Sequence, residues 1–547
     1  MNKPLLASAL ALALAALSGN ADAARVVLYN LDPAGVGLND PTPIAPTGAN
    51  PGTTVGEQRR IAYLFAADLW GSVLQSDVDI KVYASFAPLS CAATSGVLGS
   101  AGPNWIVYNF PGVDPNVLYP SALGDAIAGE DLVPDPQDPG DIASQFNGNL
   151  GQPGCLESFS WYYGLDGNTP PGAINFLNVV MHEIGHGLGF SGFLNKTSGA
   201  LLAGLPDVYT RLAYDNVSNL RFTDAGMTNA TRALAMRTPG RTVWDGAEVS
   251  AQAPLILDEA VLLRLTGSLT AGYTYYGTAA FGAPATPANF SGELVLADDG
   301  VGPDTADACE PLPAGSLTGK IAFMNRGTCG FEFKALNAEN AGAIGAVIGN
   351  VASSGTPGTA PGMAEDPAIT ATIPTLSLGL AEADAIRAAL PGIDISLGTI
   401  PGRLAGGDAN GRVQLYAPTT VASGSTFSHF DTLLSPNAVM EPNITDTLHA
   451  EANLDLTPAL LDDLGWVLNP GNAKIGNCTT NVDVVGDGGL IPGANVQAWS
   501  NLCLRTSPSK AVYQNCMSAY KDRALAVGIL TGNQGGKVAA CAAKILK

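Results

Sequence analysis

Apolar residues follow two different spacings near the beginning of the chain. Residues 25–30, RVVLYN, and residues 78–86, VDIKVYASF, carry the apolar runs and alternation typical of β-strands. Between them, residues 59–74, RRIAYLFAADLWGSVL, place apolar side chains at helical spacing. The order strand, helix, strand predicts an α/β layer between Arg25 and about Leu89.

A second helix is predicted after a long stretch that proline and glycine interrupt. Residues 111–171 contain so many of these breakers that they indicate loops with short elements. From Ile174 to Gly187 the apolar positions return to helical spacing, directly after the pair Pro170 and Pro171. Gly187 and Gly189 can end the helix through a left-handed cap.

The pattern changes again at about Ala253, where strand-like segments alternate with small residues and turns until about Gly406. Residues 319–350 read as strand, loop, helix and strand, and residues 373–378, IPTLSL, give a further buried strand. We predict an inserted small α/β domain here. Beyond Asp408 the loop and helix character returns up to Trp466, and we expect the tail after it to be a separate module.

The amino terminus has the features of a secretory signal. Lys3 precedes an apolar run from Leu5 to Leu17, and small residues follow up to Ala23. The run is shorter than the roughly 20 residues that cross a bilayer, so we expect cleavage after Ala23 rather than a retained anchor. The mature protein is predicted to be secreted, extracellular or periplasmic, without a membrane span.

The net charge restricts the kinds of partner that the protein can bind, and the cysteine content predicts its covalent cross-links. The 547 residues include 26 Lys and Arg against 48 Asp and Glu, a net charge of −22, which argues against nucleic acid as a partner. Eight cysteines in an exported protein predict disulfides. Cys91 with Cys155 and Cys309 with Cys329 are the natural pairs, whereas three pairings remain open for the four cysteines of the tail: Cys478, Cys503, Cys516 and Cys541.

The most informative motif is His182-Glu183-Ile184-Gly185-His186, which has the form H-E-x-x-H and lies at the end of the second predicted helix. Positions i and i+4 share a helix face, so two imidazoles can bind one zinc ion there. Glu183 lies beside them, where it can accept a proton from water. The motif predicts the metal ligands His182 and His186 and the general base Glu183.

A catalytic zinc site needs a third protein ligand. No glutamate lies between the motif and Ala247, which disfavours a glutamate ligand, and the short metzincin pattern fails because its third histidine would fall on Gly192. The remaining histidines are His429 and His449. Two carboxylates are outside candidates whose ordinary interpretation is structural: Asp207 and Asp215.

Met440 favours His429 as the third ligand. It lies in SPNAVMEP, residues 435–442, which resembles the Met-turn that follows the third ligand of metzincins, and Met440 follows His429 but precedes His449. With VVMHEIGHGLGF, SHFD and LTPALLDDLGW, the chain resembles the leishmanolysin-type metzincins, in which a long insertion separates the second and third histidines. Residues 319–350 and IPTLSL resemble a protease-associated (PA) domain.

The resemblance implies an α+β fold in which a two-lobed zinc peptidase carries an inserted α/β PA domain. The boundaries that we predict are a signal peptide at 1–23, an N-terminal lobe at 24–252, the PA domain at 253–406, a C-terminal lobe at 407–468 and a cysteine-rich module at 469–547. Substrate would bind across the cleft between the lobes. Family members cut proteins and peptides, with the PA domain as a cover or a substrate-binding surface.

The sequence therefore predicts a secreted zinc endopeptidase that acts on proteins or peptides. The alternative is a secreted binding protein with a structural zinc and a PA recognition domain; such a site would need a fourth protein ligand. The acidic turn Ala297–Gly300 could suit calcium, but it lacks the complete D-x-[DN]-x-[DN]-G loop. The oligomeric state is left open.

Overall fold

The computed structural model describes residues 23–93, 95–134, 140–366, 368–445 and 447–545. The predicted signal segment lies outside these ranges, apart from Ala23. No helix within them is long and apolar enough to cross a membrane. The helices, in chain order, are α1 (Val55–Val73), α2 (Ser121–Ala128), α3 (Phe176–Leu188), α4 (Asn229–Ala235), α5 (Ala247–Ile256), α6 (Phe331–Asn340), α7 (Leu380–Ala389), α8 (Thr457–Leu464), α9 (Pro492–Thr506), α10 (Lys510–Ala526) and α11 (Gly532–Ala542).

The N-terminal region contains a four-stranded sheet with the order β1-β2-β8-β5. Its first three strands are parallel, and β5 joins the edge antiparallel to β8. Helix α1 lies between β1 and β2 in the chain, as the sequence pattern predicts, and the Thr54–Glu57 capping box fixes its start. The strands of this region are β1 (Val26–Asn30), β2 (Ile80–Ala87), β3 (Cys91–Ala92), β4 (Ser95–Gly96), β5 (Gly99–Pro103), β6 (Ile106–Val107), β7 (Tyr119–Pro120), β8 (Ile142–Asn147), β9 (Ser160–Tyr162) and β10 (Ala173–Asn175).

Helix α3 begins two residues later than the sequence pattern predicts. Ala173–Asn175 forms strand β10, which pairs in parallel with β9, so the apolar Ile174 belongs to a strand. The Asn175 side chain then accepts hydrogen bonds from the backbone N–H groups of Leu177 and Asn178 and caps the helix. The helix ends at Leu188, and Gly189 has a φ of 125° there, as the glycine pattern indicates.

Three further strands connect this region to the insert: β11 (Ala213–Asp215), β12 (Leu220–Arg221) and β13 (Thr242–Trp244). The insert is built on an eight-stranded mixed sheet with the order β15-β14-β21-β17-β18-β19-β20-β16. Separate apolar cores lie against it and involve helices α6 and α7. Its strands are β14 (Glu259–Gly267), β15 (Ala271–Tyr273), β16 (Gly277–Thr278), β17 (Ser291–Leu296), β18 (Ile321–Asn325), β19 (Gly345–Gly349), β20 (Thr375–Leu378) and β21 (Ile393–Leu404).

The chain enters and leaves the insert at neighbouring points. The Trp244 backbone N–H donates to the Val413 carbonyl at 2.7 Å, and the Leu415 N–H donates to the Thr242 carbonyl at 3.0 Å. The antiparallel pair β14 and β21 carries the chain out and back. The residues before the insert, at 242–244, therefore stay bonded to the residues after it, at 413–415.

The tail shares the core of the N-terminal region, which differs from the separate module expected from the sequence. Helix α9 packs on α1, where the rings of Phe65 and Trp499 meet edge to face with centroids 5.2 Å apart. Asn501 and Arg505 both bond the Asp68 carboxylate. The apolar face of α9 therefore covers α1, while the tail also contains the hairpin of β22 (Asn472–Ile475) and β23 (Cys478–Asp483).

All eight cysteines form disulfides, and the two predicted pairs, Cys91–Cys155 and Cys309–Cys329, are confirmed. In the tail the structure selects one of the three open pairings: Cys478–Cys541 and Cys503–Cys516. Four disulfides are typical of proteins in an oxidising compartment.

The shared core makes a prediction for hydrogen exchange. Phe65→Ala should lower the free energy of unfolding by about 3–5 kcal/mol, because it removes a fully buried aromatic ring. Backbone exchange should accelerate in both α1 and α9, with no change in α6 of the insert. Tyr108→Ala, at a side chain that is 57% exposed, is the control and should change neither helix. Faster exchange in α1 with unchanged protection of α9 would contradict a shared core.

Candidate metal centre

His182 and His186 lie one turn apart on the same buried face of α3. His429 reaches them from the chain segment beyond the insert, 243 residues after His186. The three Nε2 atoms are 3.1–3.2 Å from one another. The structure thus brings together the three histidines that the sequence predicts as ligands.

The other ring nitrogen of each histidine is held by a backbone carbonyl. The Nδ1 atoms of His182, His186 and His429 lie 2.7–2.8 Å from carbonyl oxygens. A carbonyl can only accept a hydrogen bond, so each Nδ1 carries the hydrogen and each Nε2 keeps its lone pair. The three carbonyls belong to Val439, Phe190 and Ser425.

Three lone pairs that face one another cannot form hydrogen bonds among themselves. Zinc binds imidazole nitrogen at about 2.0–2.1 Å, and tetrahedral geometry then places two such nitrogens about 3.3 Å apart. The observed separations of 3.1–3.2 Å are close to that value. The donor set therefore fits zinc, and among the described residues no fourth His, Cys, Asp or Glu joins the cluster.

Burial keeps the three imidazoles in the form that binds a metal. It lowers the pKa of His182 to about 4 and that of His186 well below the ordinary value. The pKa of His429 is also lowered, first by burial and then by the two neighbouring imidazoles. All three rings are consequently neutral at physiological pH, and neutral imidazole is the ligand form.

Glu183 lies beside the histidines, between α3 and strand β5. Its carboxylate accepts a hydrogen bond from the Ala101 backbone N–H, and burial raises its pKa to about 8. A cation bound nearby would lower the pKa of Glu183 and favour the ionised carboxylate. Its Oε2 atom has no hydrogen-bond partner in the part of the chain that the structure describes. One oxygen of the carboxylate is therefore positioned and the other is free.

Met440 is fully buried and lies against α3 at Gly185. Its sulfur is so close to α3 that a Cβ atom at Gly185 would approach it to 2.8 Å. The preceding Val439 supplies the carbonyl that orients His182. The Met440 carbonyl accepts a hydrogen bond from the Phe430 N–H, next to His429, so this turn connects two of the three candidate ligands.

The other residues that the sequence offers as candidate metal ligands make hydrogen bonds or ion pairs elsewhere in the fold. Asp207 caps a turn through bonds to Phe193 N–H and to Thr210, and Asp215 forms a buried ion pair with Arg241 at 2.6 Å. His449 lies in a half-exposed loop, and its Nδ1 is 3.2 Å from Glu451. None of the three belongs to the histidine cluster.

The acidic turn at Ala297–Gly300 contributes Asp299 to a group of three carboxylates, together with Asp307 and Glu310. The buried Lys334 ammonium donates to the Asp307 carbonyl and is attracted by all three side chains. This single cation offsets part of their charge. Calcium at this turn stays a hypothesis.

An open cleft of about 890 Å³ passes over the three histidines and Glu183. Its walls come from residues 95–101, which include the start of edge strand β5, and from the loops at 423–425 and 442–445. Sequence reasoning did not identify β5 as part of the site. Its sequence, GSAGP, has neither apolar alternation nor charge.

Comparison with known proteins identifies the insert. Residues 290–386 match the family model of the PA domain. The insert carries a PA domain. This match covers a minor part of the chain and no curated protein matches the chain. The resemblance to leishmanolysin-type metzincins is therefore not tested and stays a prediction.

Solved structures similar to the chain include a zinc aminopeptidase from Bacillus subtilis, at 22% identity over 28% of this chain and 37% of that one, with a TM-score of 0.19. An aminopeptidase from Aneurinibacillus sp. strain AM-1 gives 21% identity over 26% and 31%, and a TM-score of 0.19. A peptidase M28 precursor from Shewanella amazonensis gives 20% identity over 26% and 36%, and a TM-score of 0.19. The chain spans about a third of the length of these proteins, and scores this low support no argument about the site.

The histidine cluster predicts the metal content of the purified protein. The mature chain should contain one zinc per molecule after dialysis, measured by inductively coupled plasma mass spectrometry. His429→Ala should lower zinc affinity by at least about tenfold, because the zinc ion would keep only two of its three protein ligands. His449→Ala removes the fourth histidine of the chain, outside the cluster, and should keep the full content. Equal zinc loss in both variants would contradict the assignment.

Proposed function

We propose that this protein is a secreted, zinc-dependent endopeptidase of the leishmanolysin-like metzincin type. One observation supports the proposal most strongly: three neutral imidazole lone pairs converge in an open cleft, beside a carboxylate with one unpartnered oxygen. A site built only to hold a structural zinc would use a fourth protein ligand, and the described residues offer none.

His182, His186 and His429 would hold the metal, with Met440 packed below them. A zinc ion there supplies Lewis acidity, which lowers the pKa of water and polarises a peptide carbonyl. Glu183 is placed to accept the proton of the attacking water on its free Oε2 and to pass it to the leaving amine. The Ala101 N–H fixes the other side of the carboxylate, so the base does not need to reorient during the reaction.

The edge strand β5 gives the substrate a place to bind. Its outer edge pairs with no other strand of the sheet among the described residues, and Gly99, Ser100 and Ala101 line the cleft. An extended peptide can add to such an edge as a further strand through backbone hydrogen bonds. This mode requires no particular side chain and suits protein or peptide substrates.

The scarcity of acidic side chains among the described residues that line the cleft favours internal cleavage. Enzymes that remove amino-terminal residues must bind a free ammonium group, which acidic side chains do best. Of the described residues that line the cleft, Glu183 is the only acidic one, and the proposed mechanism already uses it. We therefore favour an endopeptidase over an aminopeptidase.

The first test is cleavage of a peptide library in which every amino terminus is acetylated and every carboxyl terminus is amidated. The parent protein should cleave these blocked peptides. Glu183→Gln should lower kcat/KM by about 10²–10⁴-fold while zinc content stays at one per chain, because the base is lost and the ligands remain. Activity confined to free amino termini would overturn the endopeptidase assignment. Full activity of Glu183→Gln would overturn the role of Glu183.

Strand β5 offers a matched pair of glycines for a second test. A Cβ atom at Gly99 would collide with the Glu183 carboxylate, whereas one at Gly102, on the same strand, would have no atom within 4 Å. Gly99→Ala should displace the base and lower kcat/KM by about 10²-fold, with zinc content and melting temperature unchanged. Gly102→Ala should keep the parent activity. Equal activity of the two variants would show that β5 does not position Glu183.

A further inference from the structure

A buried carboxylate holds the residue that orients His182. Asp455 is 7% exposed, and its Oδ2 atom accepts a hydrogen bond from the Val439 backbone N–H at 2.5 Å. The Val439 carbonyl oxygen in turn lies 2.7 Å from His182 Nδ1. Asp455 therefore binds one side of Val439, and His182 binds the other side.

The two hydrogen bonds of Val439 belong to different peptide units. Its N–H is part of the Ala438–Val439 peptide, and its carbonyl is part of the Val439–Met440 peptide. Electron density therefore does not pass from Asp455 to His182 along one conjugated group. Asp455 acts instead by fixing the backbone of Val439 in space, which sets how closely the carbonyl oxygen approaches the imidazole.

Asp455 is itself held in an uncommon backbone conformation. Its φ is 45°, in the left-handed region that aspartate and asparagine tolerate better than most residues do. Its N–H donates to Asn453 Oδ1 at 2.8 Å, and its Oδ1 accepts from the Thr457 hydroxyl at 3.2 Å. Burial raises its pKa to about 7, but the ionised and the protonated form both keep an oxygen that accepts the Val439 bond.

The tail packs against the backbone of Asp455. The Leu454 N–H donates to the Gly489 carbonyl at 2.8 Å, and the Ile491 N–H donates to the Ala452 carbonyl at 2.9 Å. Gly489 lies so close that a Cβ atom there would collide with the Asp455 backbone. The tail is therefore connected to the metal centre through this aspartate.

From these contacts we propose that Asp455 is a positioning residue of the zinc site. It fixes Val439, and through the Val439 carbonyl it sets the orientation of the His182 imidazole, while Gly489 of the tail keeps Asp455 in place. Loss of such an outer contact typically lowers metal affinity by about 10–100-fold. The proposal rests on the proposed function only in that His182 binds zinc, and no step of peptide cleavage enters it.

Asp455→Gly tests the carboxylate directly. Glycine adopts a positive φ without strain, so the variant removes the side chain and leaves the backbone conformation available. The mature protein with this change should bind zinc at least about tenfold more weakly than the parent, measured by competition with a zinc-binding dye. Unchanged zinc affinity would overturn the proposal.

The expected spectroscopic effect is specific to one imidazole. The chain has four histidines, so protein labelled isotopically at histidine gives a simple proton–nitrogen NMR spectrum. In Asp455→Gly the His182 Nδ1–H signal should move, whereas the signals of His186 and His429, which bond other carbonyls, should stay in place. Equal movement of all three signals would indicate a general loosening of the site and would overturn the proposal.

Two neighbouring glycines of the tail give a matched pair that keeps Asp455 in the sequence. Gly488 and Gly489 have φ values of 68° and 75°, so alanine strains the backbone at either position. A Cβ atom at Gly489 would collide with Asp455, whereas one at Gly488 would have no atom closer than 3.8 Å. Gly489→Ala should lower zinc affinity by at least about tenfold and move the His182 signal, and Gly488→Ala should do neither. Equal zinc affinity of the two variants would overturn the proposal, and this pair decides the question if Asp455→Gly does not fold.

The failure of this proposal can be told apart from the failure of the proposed function. A parent protein that binds no zinc would overturn the metal centre, and the NMR comparison on zinc-free protein would still test Asp455. In the parent, the His182 Nδ1–H should exchange with water more slowly than the Nδ1–H of the half-exposed His449. Equally fast exchange at the two imidazoles would overturn the connection through Val439.

Discussion

The rings of His182, His186 and His429 direct three lone pairs at one point inside the protein, and without a cation these lone pairs repel one another. The arrangement persists because three backbone carbonyls hold the opposite nitrogens and burial keeps the rings neutral. Each carbonyl belongs to a different segment, so the fold as a whole is needed to create the cluster. A metal ion bound by the three imidazoles would remove this repulsion.

His429 follows His186 by 243 residues in the chain, and two features of the fold bring it to α3. The antiparallel strands β14 and β21 lead the chain into and out of the PA-containing insert, and bonds between residues 242–244 and 413–415 close its base. The Met440 turn then packs against Gly185, where a larger residue would collide with the methionine sulfur. The tail supports the same core from the other side, because α9 covers α1.

The sequence predicts a residue of the site when the pattern that defines the residue lies within a short stretch of chain. The H-E-x-x-H spacing defines one helix face, so His182, Glu183 and His186 could be identified directly. His429 could be identified only through the Met440 turn, because no spacing rule reaches across the insert. The proximity of β5 to Glu183 could not be predicted, since Gly99 carries no side chain and a Cβ atom there would collide with the Glu183 carboxylate.

The central claim is that three histidines hold one zinc and leave a position open toward the cleft. A crystal structure of the zinc-loaded mature protein, with anomalous diffraction measured at the zinc absorption edge, tests it most directly. The account predicts one strong peak at about 2.0–2.1 Å from the Nε2 atoms of His182, His186 and His429, with no further protein ligand. A fourth protein ligand, or a zinc peak bound elsewhere with the three imidazoles empty, would contradict it.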